Sequence, residues 1–277
     1  MKKIILLAVA IFPAVCAFAQ PYPPVWSAVP QVELLGKHEG NYFLAAVRAG
    51  RPRTAKLMLS ESKAPLLLAN VRDEQGNTPL MIAAEKGYFE IVRMLMPYGV
   101  NVNEVNNRNE TALCLAAKNN RIKTVKFLTT NRHTKVDYPC GLPGSEKTAL
   151  LIAAENGAAP EIIQALVDAK ANVNFQSASG ETALMAVAVS GVVKSADILL
   201  QAGADINATI SGRRMSATFV AIFNDQLDMV KFLIENGGEA YTVSWGVDVN
   251  AGAIITTPMD AARSEPVRAY LKSKGYK

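Results

Sequence analysis

A phrase of about 33 residues returns along this chain in phase. Thr-Pro-Leu-Met-Ile-Ala-Ala at Thr78 restarts as Thr-Ala-Leu-Cys-Leu-Ala-Ala at Thr111, a spacing of 33, and starts again at Thr148 and Thr182. A fainter copy follows from Ser216, a truncated one from Thr257, and an early one occupies residues 40–61. A unit this short cannot enclose a core by itself, so each must bury its apolar face against its neighbours. The chain is therefore expected to stack about five clear units between a terminal unit at each end.

Each recurring position has a physical task. Thr at the start of the phrase caps a first helix by accepting a bond from an orphan amide, and Pro79 or Pro258 suits the first helical position, where no donor is needed. The pairs Ala83–Ala84, Ala116–Ala117 and Ala153–Ala154 keep the helix thin enough for close approach. Gly87, Gly157 and Gly191 stand where a helix ends in a left-handed conformation, and Asn120 takes that place in the Thr111 unit. A second helix follows with aliphatics at helical spacing, such as Ile91, Val92 and Leu95. Gly-Ala-Asp-Ile-Asn and Gly-Val-Asn-Val-Asn tails return the chain to the next unit.

These residues closely resemble the ankyrin repeat, with its Thr-Pro-Leu-His-x-Ala-Ala core, helix-ending Gly, second helix and Gly-Ala-Asp-Val-Asn tail. The resemblance implies an all-α solenoid of stacked helix-turn-helix units, curved, with β-turn fingers projecting from one edge. It covers most of residues 40–277. The interval from Thr111 to Thr148 is 37 and that from Ser216 to Thr257 is 41, so extra residues are expected near 131–144 and 240–255, as loops on the finger edge. Where the family carries His, this chain has Leu44, Met81, Cys114, Leu151, Met185 and Phe219. That row reads either as an apolar stripe open to a partner or, in preference, as packing between units.

The N-terminus points to export. MKKIILLAVAIFPAVCAFAQ has a basic start at Lys2 and Lys3, an apolar run from Ile4 to Phe18, and the small-x-small triplet Ala17-Phe18-Ala19. That is the build of a cleaved secretory signal. The run is shorter than the ~20 residues of a membrane span, and Pro13 interrupts it. Pro13, Ala14 and Val15 do not make the Leu-small-small signal for lipid attachment at Cys16. Residues 1–19 are thus expected to be a signal peptide, 20–37 a proline-rich arm with Trp26 as a possible anchor, and 38–277 the repeat domain of a periplasmic protein. Without Lys2 and Lys3, the net charge falls from +5 to about +3, too weak for a nucleic-acid or membrane-surface partner.

Chemistry is sparse. His38 and His133 belong to no metal-ligating or catalytic spacing, and His133 with Cys114 and Cys140 makes at most three ligands. The glycines occur one per unit rather than in a phosphate-binding loop, and no serine has a nucleophile's setting. The expectation is a non-catalytic chain with no cofactor. Cys16 leaves with the signal, and in an oxidising compartment the remaining Cys114 and Cys140 are expected to pair, pinning the long finger to the helix it passes. Two inert thiols and a redox-active pair remain alternatives.

The resemblance places partner contacts on the finger tips and outward positions of the first helices. On this sequence those are Glu74, Asn77, Glu85, Lys86, Arg108, Glu110, Lys118, Asn119, Lys147, Glu155, Asn156, Glu181, Arg213 and Arg214. Their signs are mixed. Arg213 and Arg214, beside Phe219 and Phe223, form the cluster most like an interface anchor, or else a solvated turn beside core phenylalanines. The function implied is a monomeric protein-binding module of the bacterial envelope, an inhibitor, immunity factor or adaptor. The alternative is oxidative-stress protection or a redox role through the cysteines.

Overall fold

The structure, a computed structural model, describes residues 31–210, 215–241, 243–245 and 254–276. The chain divides into two compact units, Met1–Glu39 and Gly40–Lys277. The signal-like stretch, Trp26, Arg213 and Arg214 lie outside the described residues. The described part of the first unit is the opening of helix α1, Gln31–Arg48, so residues 31–37 of the expected arm are helical.

The second unit is built from paired helices. After α2 (Pro52–Glu61) and the short α3 (Pro65–Ala69), the pairs are α4–α5 (Pro79–Lys86, Phe89–Leu95) and α6–α7 (Ala112–Lys118, Ile122–Thr129). Then follow α8–α9 (Ala149–Glu155, Pro160–Asp168), α10–α11 (Ala183–Ser190, Val193–Gln201) and α12–α13 (Ala217–Phe223, Leu227–Glu235). The pair α14–α15 (Pro258–Ala261, Glu265–Ser273) closes the row. First helices pack on first helices and second on second, which is the stacked register that the repeat demands. One contiguous core runs from Phe43 to Leu271.

Caps and turns follow the sequence closely. The side-chain hydroxyls of Thr78, Thr111, Thr148, Thr182, Ser216 and Thr257 each accept from the amide three residues on. Gly87, Gly157 and Gly191 adopt φ of 77°, 62° and 73°, and Asn120 has φ 57°. Ser216 does a second job: its hydroxyl donates to the Glu239 carbonyl at 2.6 Å, tying the α12 cap to the end of its own unit. Ser216→Ala is expected to cost about 1–2 kcal/mol in chemical denaturation, the upper part of the N-cap range, because both bonds go. Ser216→Thr, which keeps the hydroxyl, should recover most of it.

The stripe of Leu44, Met81, Cys114, Leu151, Met185 and Phe219 is buried throughout, so it packs units together and is not open to a partner. The alanine pairs are buried as well, leaving no room for a larger side chain between neighbouring first helices.

Asparagine ladders join the units along the finger edge. Asn103 donates to the His133 carbonyl (2.6 Å) and accepts from the Lys135 amide (2.8 Å). Asn174 treats Gly203 and Asp205 alike, and Asn207 treats Gly237 and Glu239 alike. In the intervening unit Asp137 accepts from the Asn172 amide. The ladder thus holds regular register up to Asp137, so the extra length expected across 131–144 enters chiefly between Asp137 and Thr148. The second insertion forms an antiparallel pair of strands, β1 (Val243–Trp245) and β2 (Ile254–Thr256), with Val243 opposite Thr256. This two-stranded ribbon is an addition to the all-α expectation.

Candidate functional site

The inserted finger is the most constrained part of the finger edge. Cys114, at the start of α6, and Cys140 form a disulfide (S–S 2.04 Å), with both residues only 2% exposed. This is the pairing the sequence favoured. It removes both sulfurs as metal ligands, and with them the three-ligand set involving His133. Asn109, at φ 56°, donates to the carbonyls of Pro139 and Gly141 and accepts from the Tyr138 hydroxyl. Cys140 and Lys147 exchange both backbone bonds, at 2.9 and 2.8 Å, closing a hairpin whose tip carries Leu142, 57% exposed. The cysteines therefore brace a finger against the helix it crosses.

Polar side chains link the neighbouring fingers in series. Arg48 pairs with Asp73 at 2.8 Å, Asn77 donates to Asp73, Asn106 donates to both Asn77 and Glu110, and Glu110 also accepts from Arg108 and Lys118. Glu110 is only 9% exposed. Burial raises its pKa, but the hydrogen bonds from Asn106, Lys118 and Arg108 outweigh this and hold it below the ordinary glutamate value of 4.5. Asp73 behaves likewise: burial pushes it up, and bonds from Asn77 and Arg48 bring it below 3.8. Groups with folded pKa values lower than unfolded ones contribute stability above the unfolded values and lose it as pH falls through the folded ones. Acid unfolding followed by circular dichroism should therefore begin below about pH 4.5, the ordinary glutamate value. Glu110→Gln should lower stability at pH 7 and flatten the dependence below that point.

Several expected contact residues thus have structural duties. Glu110 and Asn77 are held inside this network and offer no free group to a partner. Asn119 and Asn156 turn their amides back onto the carbonyls of Leu115 and Ile152, capping α6 and α8. The Glu74 carbonyl accepts from Asn107 of the next finger, and that of Glu85 from Arg121. Lys86 and Arg108 are exposed, and Lys147 pairs with Glu155 at 2.6 Å. Ile210 and Met215 pair as a bridge, with Arg213 and Arg214 falling between them in sequence.

One row does face outward at a constant place on the first helices: Glu85, Lys118, Glu155, Val189 and Phe223. Its first three members are charged and its last two apolar, with Val189 50% and Phe223 39% exposed. Beside the apolar end lies a groove of about 440 Å³ between α8, α10 and α12, lined among others by Met185, Ala186, Met215 and Val220. Arg263 stands over the Phe223 ring, 4.6 Å from its centroid. A larger cleft, about 580 Å³, opens on the opposite, second-helix face among Lys126, Glu161, Asp168 and Lys194, where charges of both signs alternate. Val189 and Leu142 were not among the sequence-derived contacts. Val189 could have been found by its register, since it occupies the position of Glu85, Lys118 and Glu155.

A family model for ankyrin repeats matches the chain in three copies, over residues 43–140, 133–210 and 150–244. The chain belongs to the ankyrin-repeat family. It is similar to the Ankyrin repeat and KH domain-containing protein mask-1 of Caenorhabditis elegans, 30% identical over 82% of this chain and 8% of that protein. It is also similar to the mouse B-cell lymphoma 3 protein homolog, 30% identical over 63% of this chain and 40% of that protein. The chain thus spans less than half the length of these curated relatives. Among solved structures, the ankyrin repeat domain of Bcl-3, described as a member of the IkappaB protein family, superposes with a TM-score of 0.64. That match has 20% identity and covers 83% of this chain and 97% of the other, so it supports the fold alone. The ankyrin-repeat stack is a protein-interaction scaffold. Among its described residues, no helix is long and apolar enough to cross a membrane.

Proposed function

We propose that this ankyrin-repeat chain is an exported, periplasmic, monomeric binding protein that holds one protein partner across its first-helix face and fingers, as an inhibitor, immunity factor or adaptor. The observation that carries the reading is the outward row from Glu85 to Phe223, half-buried at Glu85 and exposed at Lys118, Glu155, Val189 and Phe223, while the neighbouring stripe packs inside. A continuous surface of this kind accommodates a standard interface of roughly 800 Å² per partner. Export is supported by the signal-like residues 1–19 and by the buried Cys114–Cys140 bond, which suits an oxidising compartment.

The redox alternative uses the same two cysteines. Thiol–disulfide exchange needs a thiolate to reach a sulfur, and both cysteines are 2% exposed, which favours a brace over a redox centre. The experiment is affinity capture from an envelope fraction, followed by reconstitution with the purified captured protein. Wild type is compared with Glu85→Lys plus Glu155→Lys and with Cys114→Ala plus Cys140→Ala. At least tenfold weaker binding by the charge variant is expected. Equal binding by all variants, or an oxidative-stress phenotype that follows the cysteines alone, would overturn the reading.

A further inference from the structure

Two positions of the phrase meet on the first-helix face: the residue before the capping Thr or Ser, and the residue seven after it. In the Thr111 unit they are Glu110 and Lys118, joined at 3.2 Å. In the Thr148 unit the signs are exchanged, and Lys147 meets Glu155 at 2.6 Å. In the Thr182 unit they are Glu181 and Val189, and in the Ser216 unit Met215 and Phe223. The same two places therefore hold an ion pair, a reversed ion pair, a carboxylate with an aliphatic, and two apolar residues, of which Phe223 carries Arg263 over its ring. At Glu181 the place that holds the pairing Lys118 in the Thr111 unit is taken by valine. Its carboxylate accepts only a neutral bond from the Ser179 hydroxyl, at 3.1 Å, and has no cationic partner among the described residues.

Glu181 lines the 440 Å³ groove, whose accessible apolar wall is Ala186, Val189, Ile210, Met215 and Phe223, with the buried Met185, Phe219 and Val220 behind it. The paired Lys147 and Glu155 stand at one side of it. The volume suits one bulky side chain with part of its backbone. A carboxylate at the rim of an apolar recess favours a ligand that brings a cation beside an apolar anchor, because pairing at a partly desolvated rim adds both affinity and orientation.

We infer that the groove formed by α8, α10 and α12 takes a segment of the partner protein in which a bulky apolar residue is flanked by lysine or arginine, the apolar side chain lying against Val189 and Phe223 and the cation meeting Glu181. The inference rests on the proposed binding function and deepens it by naming what the apolar half of the surface receives. The charged half, Glu85 and Lys118, then contributes register and not the anchor.

A random-peptide display library panned against the full mature chain tests this, with enriched peptides synthesised and measured by calorimetry. The expected result is enrichment of Leu, Ile, Met or Phe within two or three positions of Lys or Arg. Phe223→Ala and Val189→Glu should each weaken these peptides at least tenfold, and Glu181→Lys by a similar factor. Glu181→Gln should weaken basic peptides more than versions carrying glutamine in place of the cation. Thermal melts identify any variant that fails to fold, and both Val189→Glu and Glu181→Gln change exposed or half-exposed sites. Enrichment of acidic peptides overturns the inference, and so does failure to enrich any sequence. Binding that is lost in Glu85→Lys plus Lys118→Glu but kept in Phe223→Ala and Val189→Glu overturns it while leaving the broader binding function intact. Insensitivity to both sets of variants removes the two together.

Discussion

Phe219→Ala is expected to lower stability by about 3–5 kcal/mol, the range for removing a large buried aromatic side chain. Phe219 is fully buried on α12 and is one of the largest such side chains in the core. It stands at the stripe position where a unit touches its neighbour, so the cavity would open at an interface between units. In a stacked array each unit leans only on those beside it, and the loss should therefore be local. Hydrogen exchange should show α12 to α15 losing protection while α6 to α9 keep theirs, and the denaturation curve should broaden or split. A loss below about 1 kcal/mol, or an even loss of protection from α4 to α15, would contradict the packing role assigned to this residue.

Replacing Cys114 and Cys140 together by alanine is the second large effect. The bond closes a loop of sequence separation 26, for which restriction of the unfolded chain is worth about 3.5 kcal/mol. The folded finger keeps its Asn109 bonds and the Cys140–Lys147 backbone pair, so its native shape should change little. Two measurements separate the contributions. The chemical denaturation midpoint should fall in the double variant and, equally, in fully reduced wild type. Limited proteolysis within 141–146 should accelerate only modestly. A midpoint that does not move would mean that the bond does not restrict the unfolded chain, and rapid cleavage at the finger would mean that it holds the native hairpin together.

The architecture was legible because it is set locally and then repeated. Hydroxyls at Thr78 through Thr257, left-handed residues at Gly87 and Asn120, and paired alanines each act within a few residues of their own position, so their spacing identifies them without tertiary information. The same holds for the burial of the Leu44-to-Phe219 stripe, which a unit too small to have its own core requires. The cysteine pairing was approachable from compartment and number, with only two thiols left to choose from.

The availability of the contact residues was not legible in this way. Glu110 and Arg108 look alike as exposed finger charges in sequence, yet one is buried as the acceptor for three neighbours and the other is open to solvent. Leu142 reads as an ordinary loop residue until the Cys140–Lys147 pair and the disulfide show it at the tip of a braced hairpin.

By itself, then, the sequence determined the stacked helical pairs, their caps, their turns and the membership of the core, since each depends on the conformational preferences of short segments and on a period that recurs. Only the tertiary structure decided which polar side chains are held between units, where the long finger leaves the regular register, and that Val189 and Phe223 remain exposed beside a groove. Those outcomes depend on the distances between residues about 30 or more positions apart in the chain, which one repeat cannot specify for the next.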